Sequence, residues 1–170
     1  MSAEPPFDKL RATGALPVSS CQSVSSSQPL RFAGYAALFD RRDAGRDTIR
    51  PGAFARTLAE GRDPLPLLWQ HRPDLRIGWV ETLAEDARGL RVIAAIDKPE
   101  GAAGLALRRG AVTGLSFGYR ARESHRTDHG RELLDVELFE VSLVTRPMQH
   151  GARVHLISSP PHERQTHGIH

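Results

Sequence analysis

The chain has 170 residues and one cysteine, Cys21, so it can form neither an internal disulfide nor a thiolate metal cluster. Long apolar runs are missing as well. None approaches the ~20 residues that span a bilayer, and residues 1–10 (MSAEPPFDKL) lack the basic start and apolar stretch of a secretory signal. These absences predict a cytoplasmic chain without a membrane role. Lysine is almost lacking: apart from Lys9 and Lys98, every basic residue is arginine. The net charge of +3 and a pI near 9.6 raise the question of nucleic acid. The arginines are interleaved with Asp and Glu, however, and no basic block exceeds Arg41-Arg42 or Arg108-Arg109. A mixed, solvated surface with no specific nucleic-acid partner is the reading that follows.

What is present is globular: 39% hydrophobic and 25% charged residues, at a length that suits one domain. Residues 15–29 are rich in Ser, Gln and Pro, and residues 158–170 contain a Pro pair and three His with almost nothing to bury. The expected organisation is a flexible leader over 1–29, a domain over 30–157 and a flexible tail over 158–170. Within the domain, 30–39 reads as a strand and 53–60 as a short helix stopped by Gly61. Residues 65–71 form a short strand with Pro66 at its start or on an edge, leaving His71 facing a loop at Arg72-Pro73-Asp74. Strands at 77–83 and 90–96 flank a hairpin connection, and 102–109 is a helix closed by Gly110. Residues 115–122 and 132–145 bracket a turn at Thr127-Asp128-His129-Gly130 and form a long hairpin. The sum is an α+β domain, mainly an antiparallel, barrel-like β-sheet with a few short helices.

Gly114-Leu115-Ser116-Phe117-Gly118 matches G-x-S-x-G, the nucleophile elbow of α/β-hydrolases. That elbow needs a helix after the serine, whereas Tyr119-Arg120-Ala121-Arg122 continues a strand pattern. Ser116 on a glycine-flanked strand therefore stays open between a structural residue and a nucleophile, and a nucleophile needs a base. Of the eight histidines, His162, His167 and His170 lie in the tail, His125 and His129 at a hairpin tip, and His150 and His155 near the end of the domain. No two-His metal spacing occurs, which predicts no metal site. His71, at a strand end before a loop, is the remaining candidate base. A carboxylate must orient it, and Asp135, Glu137 and Glu140 are available. Glu140 interrupts the apolar run 138–144 (LFEVSLV), where a lone carboxylate is costly unless paired, so it is favoured over Asp135. A salt bridge to one of the arginines is its other explanation.

The same residues resemble a known family, the tailed-phage prohead proteases, capsid-maturation serine proteases related in fold to herpesvirus assemblin. The likeness runs from about Phe32 to Val154. It rests on Gly34-Tyr35-Ala36 with Phe39, Ile49-Arg50-Pro51-Gly52-Ala53-Phe54, Leu67-Leu68-Trp69-Gln70-His71, Ile77-Gly78, Gly114 to Tyr119, and Leu138 to Pro147, in that order. The resemblance implies a herpesvirus-protease-like fold, with Ser116 as nucleophile, His71 as general base and Glu140 as third member. It also implies oxyanion stabilisation by backbone near Arg146, no cofactor, and a homodimer. Its implied substrates are the scaffold and the major capsid protein inside the immature capsid (prohead) of a tailed phage or a phage-derived gene-transfer particle. A catalytically silent capsid-assembly or scaffold-binding module with the same fold is the alternative. Where the family reads Pro-Ala-Asn-Pro after the third member, this chain has Pro147-Met148-Gln149-His150.

Overall fold

The computed structural model describes residues 28–61 and 64–158. Cys21, His162, His167, His170 and nearly all of the expected leader and tail lie outside the described residues. The elements are β1 (Leu30–Leu38), β2 (Asp47–Ile49), α1 (Ala55–Ala59), β3 (Pro66–Trp69), β4 (Arg72–Glu85), β5 (Gly89–Ile96), α2 (Ala102–Arg108), β6 (Gly114–Thr127), β7 (Gly130–Val144) and β8 (Val154–Ile157). Both expected helices and all of the expected strands are present. Two short strands were not expected, β2 and β8.

The strands form one sheet in the order β2-β7-β3-β4-β5-β1-β8, with β6 paired to β7. It curls back on itself. Gly114 bridges Arg153, the Leu115 N–H donates to Ala152 O at 2.9 Å and the Val154 N–H to Thr113 O at 2.8 Å, which bring the β8 end of the sheet to β6. Pairing is antiparallel except where β2 and β3 run parallel to β7. Pro66 opens β3, where its missing N–H is tolerated, although β3 lies inside the sheet between β7 and β4. Arg72-Pro73-Asp74 belongs to β4, so the expected loop after His71 is only a tight turn.

The core fills the inside of the curl. Alternate residues Leu90, Val92, Ala94 and Ile96 of β5 all point inward, as the two-residue period of a strand requires. They meet Leu30 and Phe32 of β1, Leu67 of β3, and Leu115, Val141 and Leu143 of the β6–β7 ribbon. Phe54, carried into the core by the turn at Gly52 (φ +89°), is fully buried and meets Phe117 edge-on at 5.4 Å. Losing such a ring to Ala costs about 3–5 kcal/mol.

One irregularity decides what faces the core. Gly118 pairs with Glu140, but Tyr119 pairs with Leu138, so Phe139 is an extra residue on β7. A β-bulge of this kind shifts the phase of every residue beyond it. Leu138 points into the core, and without the bulge Glu140 and Ser142 would follow it inward. With the bulge, Val141 and Leu143 are the inward pair, while Phe139 is left 45% exposed.

Candidate active site

The bulge turns Glu140 and Ser142 of β7 to the face opposite the core, and the register brings Gly118 and Ser116 of β6 directly across from them. Directly opposed residues of an antiparallel pair share a face, with Cβ atoms ~4.5–5.5 Å apart. Ser116 is thus beside Ser142, and both are buried. The two glycines that flank Ser116 find their reason here. A Cβ on Gly118 would stand 2.6 Å from Glu140 Oε1, and one on Gly114 would stand 2.6 Å from Val144 O and 2.7 Å from Pro147 Cδ. They admit the chain's own neighbouring strand and loop, so G-x-S-x-G in this fold is a strand motif and not an elbow.

His71 comes to this face from β3. The chain leaves Trp69 through two consecutive left-handed residues, Gln70 (φ +53°) and His71 (φ +58°), a conformation that costs free energy for residues other than glycine. Three hydrogen bonds from the β7 end hold the turn. The Gln70 N–H donates to Leu143 O at 3.0 Å, the His71 N–H to Ser142 Oγ at 3.2 Å, and the Thr145 N–H to Gln70 Oε1 at 3.2 Å.

The imidazole then meets the carboxylate: His71 Nδ1 lies 2.7 Å from Glu140 Oε1. The other oxygen, Oε2, accepts from the Ser142 hydroxyl at 2.6 Å. Both Glu140 oxygens are therefore satisfied, which offsets the cost of burying a carboxylate that is only 9% exposed. An ionised carboxylate only accepts, so Nδ1 carries the proton and Nε2 keeps its lone pair free. The hydrogen bond to Glu140 raises the His71 pKa above its ordinary 6.5, against an opposing contribution from partial burial.

Of the residues singled out in the sequence, His71 and Glu140 are in direct contact, while Ser116 lies opposite Ser142 in the β6–β7 register and its side chain makes no hydrogen bond to His71 or Glu140. Asp135 and Glu137 point elsewhere, to Arg56 and Arg120 respectively. Arg146 makes no side-chain hydrogen bond or ion pair with His71, Glu140 or Ser142. It is exposed on the loop after β7, and its side chain has no ion pair among the described residues. Ser142 and Gln70 were not anticipated. Leu138-Phe139 is the point of the bulge, and the phase slip there turns Glu140 and Ser142 together away from the core. The departure at Pro147-Met148-Gln149-His150 is also accounted for. Gln149 keeps an amide at the family's Asn position, accepting from the Leu38 N–H at 2.6 Å and donating to Leu38 O at 3.0 Å and Arg41 O at 2.8 Å. It ties the loop after β7 to the end of β1. Among the described residues, no group of three or more His, Cys, Asp or Glu could hold a metal, and no helix is long and apolar enough to cross a membrane.

Comparison with known proteins bears on the family and the fold. Residues 16–166 match the family model of the caudovirus prohead serine protease. The chain is 33% identical over 135 residues to the prohead protease of Enterobacteria phage HK97, covering 75% of this chain and 60% of that protein. It is 28% identical over 134 residues to a capsid polyprotein of Pseudomonas phage PAJU2, covering 72% of this chain and 19% of that one. The chain thus spans less than two thirds of the length of either relative. Among solved structures, the bacteriophage T4 capsid assembly protease superposes with a TM-score of 0.55 at 12% identity, over 68% of this chain and 81% of the other. The KSHV protease in complex with a hexapeptide phosphonate inhibitor gives 0.53 at 16% identity, over 78% and 66%. At those identities the likeness is one of fold, a curled sheet with two short helices. With the family match extending over most of its length, this chain belongs to the caudovirus prohead serine protease family.

Proposed function

We propose that the chain is a serine endopeptidase that cleaves the scaffold and the major capsid protein inside the immature capsid of a tailed phage or phage-derived particle. The observation that carries this is the 2.7 Å contact between His71 and Glu140, built on the same sheet face as the buried hydroxyl of Ser116. Ser116 Oγ attacks the carbonyl carbon of the scissile peptide as His71 Nε2 takes its proton. The imidazolium, held by Glu140 through Nδ1–H, then returns a proton to the leaving amine. Water repeats the sequence on the acyl-enzyme and restores Ser116. The backbone N–H of Arg146, which donates no hydrogen bond among the described residues, is the proposed donor to the oxyanion.

The choice of substrate draws on the relatives, a prohead protease, a capsid polyprotein and a capsid assembly protease. The domain limits 30–157 belong to the same reading, supported by strands that begin at Leu30 and end at Ile157. Co-expression with the capsid and scaffold proteins of its own particle tests it. The wild-type chain should shorten both proteins and the Ser116→Ala variant neither. Equal shortening by the two would refute the assignment.

A further inference from the structure

We propose that Ser142 is a positioning residue of this site, fixing the Glu140 carboxylate and the His71 main chain with one hydroxyl. The inference rests on the catalytic reading above, which gives no role to Ser142. The geometry is specific. Ser142 Oγ donates to Glu140 Oε2 at 2.6 Å and accepts from the His71 N–H at 3.2 Å, so the base and its orienting carboxylate converge on one atom. Ser142 is completely buried, and those two groups are the partners of its hydroxyl. Without it each partner loses one of its holds. A Glu side chain has three rotatable bonds, and Oε2 has no other donor among the described residues. His71 sits in a left-handed conformation that must be over-determined by its surroundings to persist.

A hydroxyl at this point does what an Ala cannot. It sets the plane of the carboxylate so that Oε1 faces Nδ1, and it anchors the turn so that the ring stands over the β6–β7 ribbon. It has no contact with substrate in the mechanism above, because its hydroxyl is completely buried and engaged by Glu140 and His71. The charged groups around His71 are few. From β7, Glu140 is the group that acts on the ring, and at the start of β4 Arg72 is committed to Asp74 at 2.7 Å.

The test combines a rate with an equilibrium measurement. Phosphonylation of Ser116 by a fluorophosphonate probe is followed against pH in the wild type, Ser142→Ala, Ser142→Thr, Glu140→Ala and the Glu140→Ala/Ser142→Ala double variant. The His71 titration is followed by NMR in the same proteins. Ser142→Ala should lower the plateau rate by about 10²-fold, the cost of a misplacement of about 1 Å. It should also move the His71 titration down toward the ordinary imidazole value. Ser142→Thr, which keeps the hydroxyl, should restore most of the rate and the titration. In the Glu140→Ala background, Ser142→Ala should have little further effect, because partners that act through one another are not additive. An unchanged His71 titration in Ser142→Ala, or a full additive loss in the double variant, overturns the positioning role. Failure of the wild type to label, with a His71 titration that still responds to Ser142→Ala, would instead count against catalysis and leave the positioning role supported.

Discussion

Two buried carboxylates pack on the β6–β7 ribbon, Asp47 from β2 and Glu140 on β7; each is hydrogen-bonded through both oxygens, and the two are partnered in opposite ways. At the hairpin end, Asp47 of β2 accepts from Arg131 Nε at 3.0 Å and Nη2 at 2.6 Å, and from the Tyr119 hydroxyl at 2.7 Å. At the other end, Glu140 meets an imidazole and a hydroxyl. Arg131 is always charged, so the Asp47 cluster has one protonation state near neutral pH and can only hold the fold. His71 is an imidazole whose pKa Glu140 raises above 6.5, so the Glu140 cluster contains a group that can accept and release a proton. Similar burial and similar hydrogen-bond counts thus give a brace at one end and a chemical site at the other.

The two clusters also respond to pH with opposite sign. The Arg131 hydrogen bonds hold the Asp47 pKa below its usual 3.8, against the effect of burial. Its stabilising contribution is present above that value and lost as pH falls through the depressed one. The His71 pKa is raised above 6.5 by Glu140. Its contribution is fully present below 6.5 and lost as pH rises through the raised value. Catalysis runs against this second trend, because the base must be unprotonated to take the serine proton.

Substitutions at the two ends should separate accordingly. The largest effect is expected for Ser116→Ala, which removes the nucleophile and should abolish both probe labelling and capsid-protein processing while the melting temperature stays near that of the wild type. Glu140→Gln should come next, lowering the labelling rate by about 10³–10⁴-fold, the usual cost of losing the carboxylate that orients the base. The acid limb of its residual pH profile should fall from above 6.5 toward the ordinary imidazole value. Gly118→Ala acts on the same carboxylate by steric means. The added methyl would stand 2.6 Å from Oε1 and must displace it from His71, with an expected loss of about 10²-fold. Smallest in rate is Asp47→Asn, which should leave labelling and its pH profile near wild type. It should nevertheless lower the unfolding free energy by about 1–3 kcal/mol in denaturant titration, since Arg131 and Tyr119 lose a charged acceptor. A catalytic defect in Asp47→Asn as large as that of Glu140→Gln would erase the distinction between the ends.

The sequence made one of these ends more legible than the other. Glu140 stood out because a carboxylate in the run LFEVSLV needs a partner, and His71 because few histidines lay where a base could be mounted. Asp47 gave no such signal, since a single Asp among scattered arginines looks like surface. Its strand β2 has three residues, too few for a periodicity to show, and exists because β7 offers an edge to pair with. β8 escaped notice for a similar reason: Val154–Ile157 alternates poorly, and Leu156 is 66% exposed. The long β6–β7 hairpin was readable from its turn residues, but the phase slip at Phe139 was not. Small apolar and hydroxyl residues fit either face of a strand, and the register that decides between faces is a long-range property. Ser142 fell on the unread side of that slip.

The central claim is that Ser116 is a nucleophile activated by His71. Peptide mapping of the protein after fluorophosphonate treatment, as a function of pH, tests it most directly. One adduct on Ser116 is expected, forming at a rate that rises through a pKa above 6.5 and vanishing in His71→Ala. An adduct on another serine, or equal labelling of Ser116 in His71→Ala, would contradict the account.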